Sequence, residues 1–303
     1  LITKKRFEQN HPAKTFIGID GMADFSYTQE ANAPCPFCAN HCKRTIVRFS
    51  NGNSWVTNNR CERGEILGDP KDASVRQQLA DAKKSREQTP NLFKLRQELL
   101  FKDYPYPKAA KERDITIGLP RVLSYWETMP FWTTFWRALG FKIQLSDLST
   151  RKIYEDGLSA VTSDTVCFPA KLVHGHLRNL VKKGVDRIFM PSITTVTSEN
   201  TESTSESMCA IVKGYPIVIR NSDNPEKRWH IPFDAPLFHW YKREDRNRQL
   251  TGYMEKTFGI SPAETRQAIN VADAAEKQFH DEMHRAGKAV LDEVTANGSY
   301  AVI

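Results

Sequence analysis

Beyond residue 114, short apolar runs alternate with longer segments whose apolar residues recur every three or four positions. The short runs at 115–119, 141–145, 187–190 and 215–219 are strand-like, rich in Ile, Val, Phe and Tyr. Between them, 131–139 predicts an aromatic-rich helix ended by Gly140, 151–161 a second helix, and 172–183 a third ended by Gly184. This alternation argues for an α/β fold with a Rossmann-like, mostly parallel sheet covered by helices. Ligands in such folds gather at the carboxyl ends of the strands.

The flanking regions follow other patterns. Residues 1–30 are irregular, and 31–68 hold a cysteine knuckle followed by a β-hairpin. Residues 69–113 are charged and helical, with Leu92, Leu95, Leu99 and Leu100 on one face, and Tyr104-Pro105-Tyr106-Pro107 closes that arm. Residues 234–297 are strongly helical. Ser261 and Glu264 form a capping box there, Pro262 suits the first turn, and Gly298 suits the end. The expected organisation is a four-cysteine β-ribbon with its N-terminal extension (1–68), a helical arm and linker (69–113), a Rossmann-like α/β domain (114–233) and a C-terminal helical segment (234–303) leading into a further strand. The missing initial Met and the apolar end at 300–303 suggest a segment of a longer polypeptide. A polar Ser/Thr/Glu stretch at 192–207 reads equally as a mobile loop over a site and as a surface insertion.

The six cysteines carry the most specific chemistry. Four are spaced as Cys35-x2-Cys38-x3-Cys42-x18-Cys61. Between the last two, β-branched and aromatic residues flank Asn51-Gly52, a strong hairpin signal that brings Cys61 back to the knuckle. Four converging thiolates suit a closed tetrahedral metal site, with structural zinc favoured and an iron–sulfur cluster left open by the spacing alone. Two disulfides would need an oxidising compartment, which nothing in the sequence signals. His41 lies between ligands and reads as a solvated side chain. Cys167 precedes a helical pattern, where unpaired N–H groups favour a thiolate. Cys209 precedes the 215–219 run. Each alone reads as a small core residue.

Charge first points elsewhere. The net charge is +7, but residues 1–113 hold 20 Lys and Arg against 13 Asp and Glu, and residues 114–303 hold 23 of each. The excess therefore belongs to the ribbon and the helical arm. With no basic stripe interleaved with aromatics, it argues for a docking surface rather than a nucleic-acid partner. No apolar run nears the ~18 residues of a membrane helix, and no secretory signal is seen, so no membrane partner and a cytoplasmic location are expected. There is no Gly-x-Gly-x-x-Gly, no P-loop and no Gly-x-Ser-x-Gly. His280 and His284 lie one turn apart, but their surroundings do not match His-Glu-x-x-His, and a solvated helix face is the better reading.

Three stretches resemble one family. Asn59-Arg60-Cys61-Glu62-Arg63-Gly64 follows the hairpin. Ile117-Gly118-Leu119-Pro120-Arg121-Val122-Leu123 comes with Pro130-Phe131-Trp132 and Leu139-Gly140-Phe141. Cys167-Phe168-Pro169-Ala170-Lys171-Leu172-Val173-His174-Gly175-His176 precedes Gly184-Val185-Asp186-Arg187-Ile188-Phe189. Over roughly 30–220 the chain resembles the acyl-CoA dehydratase activase-related proteins, or CoA-substrate-specific enzyme activases, in which such a segment is fused to ATP-hydrolysing activator domains. It is also similar to the 2-hydroxyacyl-CoA dehydratase subunits that carry an iron–sulfur cluster in a Rossmann-like fold.

The resemblance implies Cys167 and Cys209 as ligands of an iron–sulfur cluster, of [4Fe–4S] type, with Lys171, His174 and His176 as neighbours that tune charge or donate protons. His174 and His176 are two apart, so at most one faces the site. Ala210 stands where the family has Pro. Two thiolates do not complete a [4Fe–4S] site, and the other ligands would come from a further segment, a second subunit, water or substrate. It further implies an ATPase activator partner, an acyl-CoA-type substrate and low-potential electron transfer, with no activity expected of the isolated segment. The alternative is a noncatalytic zinc-ribbon scaffold that docks an ATPase or partner domain.

Overall fold

In the computed structural model, the described residues are 21, 23–38, 40–196, 202, 206–240 and 242–302. The chain divides into two compact units, Leu1–Pro90 and Asn91–Ile303. The expectation for residues 1–20 falls outside the described residues.

In the first unit, β1 (Tyr27–Pro34), β2 (Lys43–Phe49) and β3 (Ser54–Thr57) form an antiparallel sheet in that order. The Asn-Gly signal holds: β2 and β3 pair with Ile46 opposite Val56, and Gly52 takes φ 86° in the turn between them. Among the described residues the apolar cluster of the sheet is small, Ala33, Ile46 and Val56 flanked by Leu67, with Arg44, Thr45 and Val47 of β2 also buried. So small a core contributes only a few kcal/mol, and such units depend on other staples. Arg44 supplies one. Its Nη1 donates to the Gly64 and Ile66 carbonyls, 2.6 Å each, tying the sheet to the short 3-10 turn at Glu62–Glu65. Helix α1 (Ala73–Gln88) completes the unit.

The second unit is built on a parallel sheet of β4 (Arg113–Leu119), β5 (Phe141–Leu145), β6 (Arg187–Phe189) and β8 (Phe233–Asp234), ordered β5-β4-β6-β8. Beyond β6 and β8, β7 (Ser192–Ile193) and β9 (Leu237–Phe238) pair in the same sense. From β4 the chain moves first to one side and then to the other, so the order reverses beside β4, the usual ligand position in such folds.

Helices α2 (Leu92–Phe101), α3 (Tyr125–Ala138), α4 (Arg151–Leu158), α5 (Phe168–Lys182), α6 (Ala210–Ser222), α7 (Pro225–Trp229), α8 (Arg243–Phe258) and α9 (Pro262–Asn297) follow the chain. Ten of the fourteen residues of α3 are buried, because it is apolar nearly all round and lies inside the unit. Trp132 and Trp136 meet Phe189 at centroid distances of 4.8 and 5.1 Å, and Trp132 meets Trp240 at 5.3 Å.

Several expectations fail. Residues 27–30, expected to be irregular, begin β1, and the segment expected to be helical from 234 opens with the end of β8 and with β9. Residues 215–219 are helical, inside α6, not a strand. Their apolar run has the helical spacing of one buried face, with Tyr215, Pro216 and Ile219 buried and Ile217 exposed. The β-branched composition misled, and tertiary burial decided. At the other end, residues 299–302 form no strand, and Tyr300 and Val302 are exposed; Ile303 lies outside the described residues. The capping box is present as expected, with Ser261 Oγ accepting from the Glu264 N–H at 3.2 Å and Gly298 closing α9 at φ 68°.

One close approach fixes the site. Helices α4 and α5 cross at Gly157 and Gly175, and a Cβ on Gly175 would overlap the Ile153 carbonyl. Only glycine lets the backbones meet, and this seats α5 with its cysteine and histidines.

Candidate functional site

Cys35, Cys38, Cys42 and Cys61 line one cavity of about 150 Å³, together with Arg44, Arg60 and Arg63. The knuckle is closed by the Cys35 N–H donating to the Cys42 carbonyl at 2.9 Å, and by a turn in which the His41 N–H donates to the Cys38 carbonyl at 3.2 Å. All four cysteines are free thiols. Arg63 is hydrogen-bonded to Cys61, which raises its guanidinium pKa. Among the described residues, no group of three or more His, Cys, Asp and Glu side chains is arranged to hold a metal ion. The four cysteines nonetheless line the same small cavity, and thiolate is the donor type that soft metals take. His41 is exposed and lines a neighbouring concavity instead.

Cys167 and Cys209 occupy equivalent places. Each is the residue immediately before a helix, α5 and α6 respectively, and both are exposed. The core-residue reading of each is therefore overturned. The helices feed β6 and β8, and a helix that crosses back between parallel strands starts at their carboxyl ends. Helices α5 and α6 also run the same way: His174 meets Tyr215, and Arg178, one turn on, meets Asp223 just beyond the end of α6. Both thiols thus lie at the same end of two neighbouring helices. The Val212 and Ile211 N–H groups, with Lys213, hold the Cys209 pKa below the ordinary thiol value. The 192–207 stretch leads up to Cys209. Its flanks pair with each other, the Val196 N–H donating to the Glu206 carbonyl at 3.0 Å; residues 197–201 and 203–205 lie outside the described residues.

Between the helices sits a buried polar chain. His174 Nδ1 lies 2.7 Å from Asp223 Oδ2, and its Nε2 lies 3.0 Å from the Tyr215 hydroxyl. Arg178 and Arg228 reach the two Asp223 oxygens at 3.1 and 2.9 Å. Burial alone would raise the Asp223 pKa, but the His174 hydrogen bond and the two guanidiniums outweigh it and hold it below the usual carboxylate range. His174 thus bridges the Asp223 carboxylate and the Tyr215 hydroxyl. Burial, then the neighbouring Cys167 and Asp223, raise the Tyr215 pKa.

His176 points the other way. Its Nδ1 is 2.7 Å from Ser146 Oγ and its Nε2 is 3.0 Å from Ser149 Oγ, and Ser146 Oγ also accepts the Arg121 N–H at 2.8 Å. It therefore ties α5 to the carboxyl ends of β4 and β5. Burial, then Arg121, pushes its pKa down to about 4. Lys171 is partly exposed, and its ammonium donates to the Asp164 carbonyl at 2.8 Å. Sequence reasoning found both histidines but missed Tyr215, Asp223 and Arg178. Tyr215 was hidden by the strand assignment, and Asp223 by its place after the helix. His280 and His284 lie on α9, away from these residues in the chain, and His284 is exposed.

The model of the CoA enzyme activase uncharacterised domain (DUF2229) matches residues 116–303. The chain belongs to this family. The match contains α5, α6 and the whole buried chain, so Cys167, His174, Tyr215, Cys209 and Asp223 are residues of the activase domain itself, whereas the four clustered cysteines precede it. No curated protein and no solved structure matches the chain. Among the described residues, no helix is long and apolar enough to cross a membrane.

Proposed function

We propose that this chain is the cluster-bearing segment of an ATP-coupled, low-potential electron-transfer system related to 2-hydroxyacyl-CoA dehydratases. The observation that carries the reading is the pairing of Cys167 and Cys209, both exposed and both opening a helix at the same end of α5 and α6. Exposed cysteines at helix starts are suited to ligation rather than packing. An iron–sulfur cluster held there would supply one-electron chemistry. The chain's own residues supply its surroundings. The α6 N–H groups lower the Cys209 pKa, and the Asp223–His174–Tyr215 chain places a hydroxyl whose pKa is raised by burial and by Cys167. Membership of an activase family supports an activator role, with ATP hydrolysis supplied by a domain of the same polypeptide or a separate protein and an acyl-CoA-type substrate downstream. The four-cysteine cavity would hold zinc as a structural site. The protein would work in the cytoplasm, where both thiol sets stay reduced.

The test is purification without oxygen. The preparation should be brown and give an iron EPR signal on reduction, and Cys167→Ala should abolish it while leaving the protein folded. A colourless, iron-free protein would overturn the reading. It would favour the alternative, a zinc-bearing docking scaffold, which the convergence of Cys35, Cys38, Cys42 and Cys61 on one cavity supports independently.

A further inference from the structure

Next to the cysteine cavity lies a wider, open concavity of about 750 Å³, formed by the turn after Cys38, the start of β2 and the loop after β3. Three cations line it, Lys43, Arg44 and Arg60. Side-chain amides supply much of the rest, from Asn32, Asn40, Asn58 and Asn59. Among the described residues, no carboxylate lines the concavity, and none of the three cations pairs with one.

Arg44 is the unusual member. It is 4% exposed, its Nη1 is committed to two backbone carbonyls, and its buried Nε has no partner among the described residues. A buried guanidinium with no carboxylate partner favours the approach of an anion. The backbone around it is strained too. Asn32, His41 and Asn58, all in the wall, take φ of 59°, 42° and 62°. Left-handed conformations at non-glycine residues cost roughly 1 kcal/mol or more each and collect at binding sites.

We propose that this concavity binds a phosphoryl-bearing small molecule. Phosphate oxygens match guanidinium and amide donors, and the cations have no competing carboxylate. The volume falls in the roughly 300–1,000 Å³ range of small-molecule sites, larger than a bare phosphate needs, so a nucleotide-sized ligand fits best. Among the described residues no Phe, Tyr or Trp lines it, which disfavours a stacked single strand of nucleic acid. Asn40, Cys42, Arg44, Asn59 and Arg60 line both cavities, so the ligand would sit against the cysteine knuckle. The site does not depend on Cys167 or Cys209, and its failure would leave the electron-transfer reading untouched.

The experiment is calorimetric titration of the full chain with ADP, with CoA, with inorganic phosphate and with a single-stranded oligonucleotide. ADP or CoA should bind saturably and more weakly as salt is added. Inorganic phosphate binding equally well would identify the phosphoryl group alone as the ligand. Lys43→Gln and Arg60→Gln, both at exposed positions, should each weaken binding about tenfold, the loss expected of one charge-assisted contact. Lys84→Gln, on α1 and outside the concavity, should change nothing. Circular dichroism of each variant checks the fold. The proposal is overturned by no saturable binding of any phosphate probe at millimolar concentration, by undiminished affinity in folded Lys43→Gln and Arg60→Gln, or by an oligonucleotide that binds without competition from the small molecules.

Discussion

The first unit gathers four cysteines in one small cavity, beneath arginines and beside almost no apolar core. The second exposes two cysteines at helix starts, on a unit whose aromatic core is large enough to fold without them. Four cysteines around one small cavity offer the donors a structural metal takes, whereas open thiols on a rigid scaffold leave room for a reactant. The same residue type is thus expected to carry stability in one unit and chemistry in the other.

That contrast can be broken at several points. The largest expected effect is in the first unit. Metal binding to such a site is worth on the order of 10 kcal/mol, and Cys42→Ser should forfeit most of it. Hydrogen exchange across 43–57 would then become nearly unprotected, and unchanged protection would show that the ribbon folds without metal. In the second unit, Asp223→Ala removes the buried carboxylate that His174 and Arg178 share and the half-exposed Arg228 also reaches, and urea unfolding should show a loss of about 3 kcal/mol.

His176 gives a pH signature. Its folded pKa is depressed to about 4, so between there and its ordinary value near 6.5 the unfolded chain binds a proton that the folded chain does not. Stability therefore falls as pH drops through that window, by on the order of 3 kcal/mol. His176→Gln should flatten this acid limb; an unchanged slope would mean that the loss arises elsewhere. Gly175→Ala should cost about 1–3 kcal/mol by forcing α4 from α5, read as a lower thermal midpoint. The smallest effect on stability belongs to the rim, where Cys167→Ser, at an exposed position, should shift unfolding by less than about 0.5 kcal/mol.

Much of this was legible in the chain. The strands at 115–119, 141–145 and 187–190 and the hairpin around Asn51-Gly52 follow from period and turn chemistry, which are local properties. Residues 215–219 were misjudged because a β-branched run looks alike as a strand and as one face of a helix; only packing against α5 separates the two. The cysteine spacing pointed to convergence, and the four do line one cavity. The exposure of Cys167 and Cys209 and the Asp223–His174–Tyr215 chain were invisible, since both depend on two helices meeting across 40 or more residues of sequence. The basic excess of residues 1–113 acquired a local meaning, since three of its cations line the concavity beside the knuckle.

The most direct test is iron and zinc content per chain after anaerobic purification, in the unaltered protein and in Cys167→Ser and Cys42→Ser. The account predicts that Cys167→Ser loses iron and keeps zinc, and that Cys42→Ser loses zinc. Iron retained in full by Cys167→Ser, or absent from the unaltered protein, would contradict it.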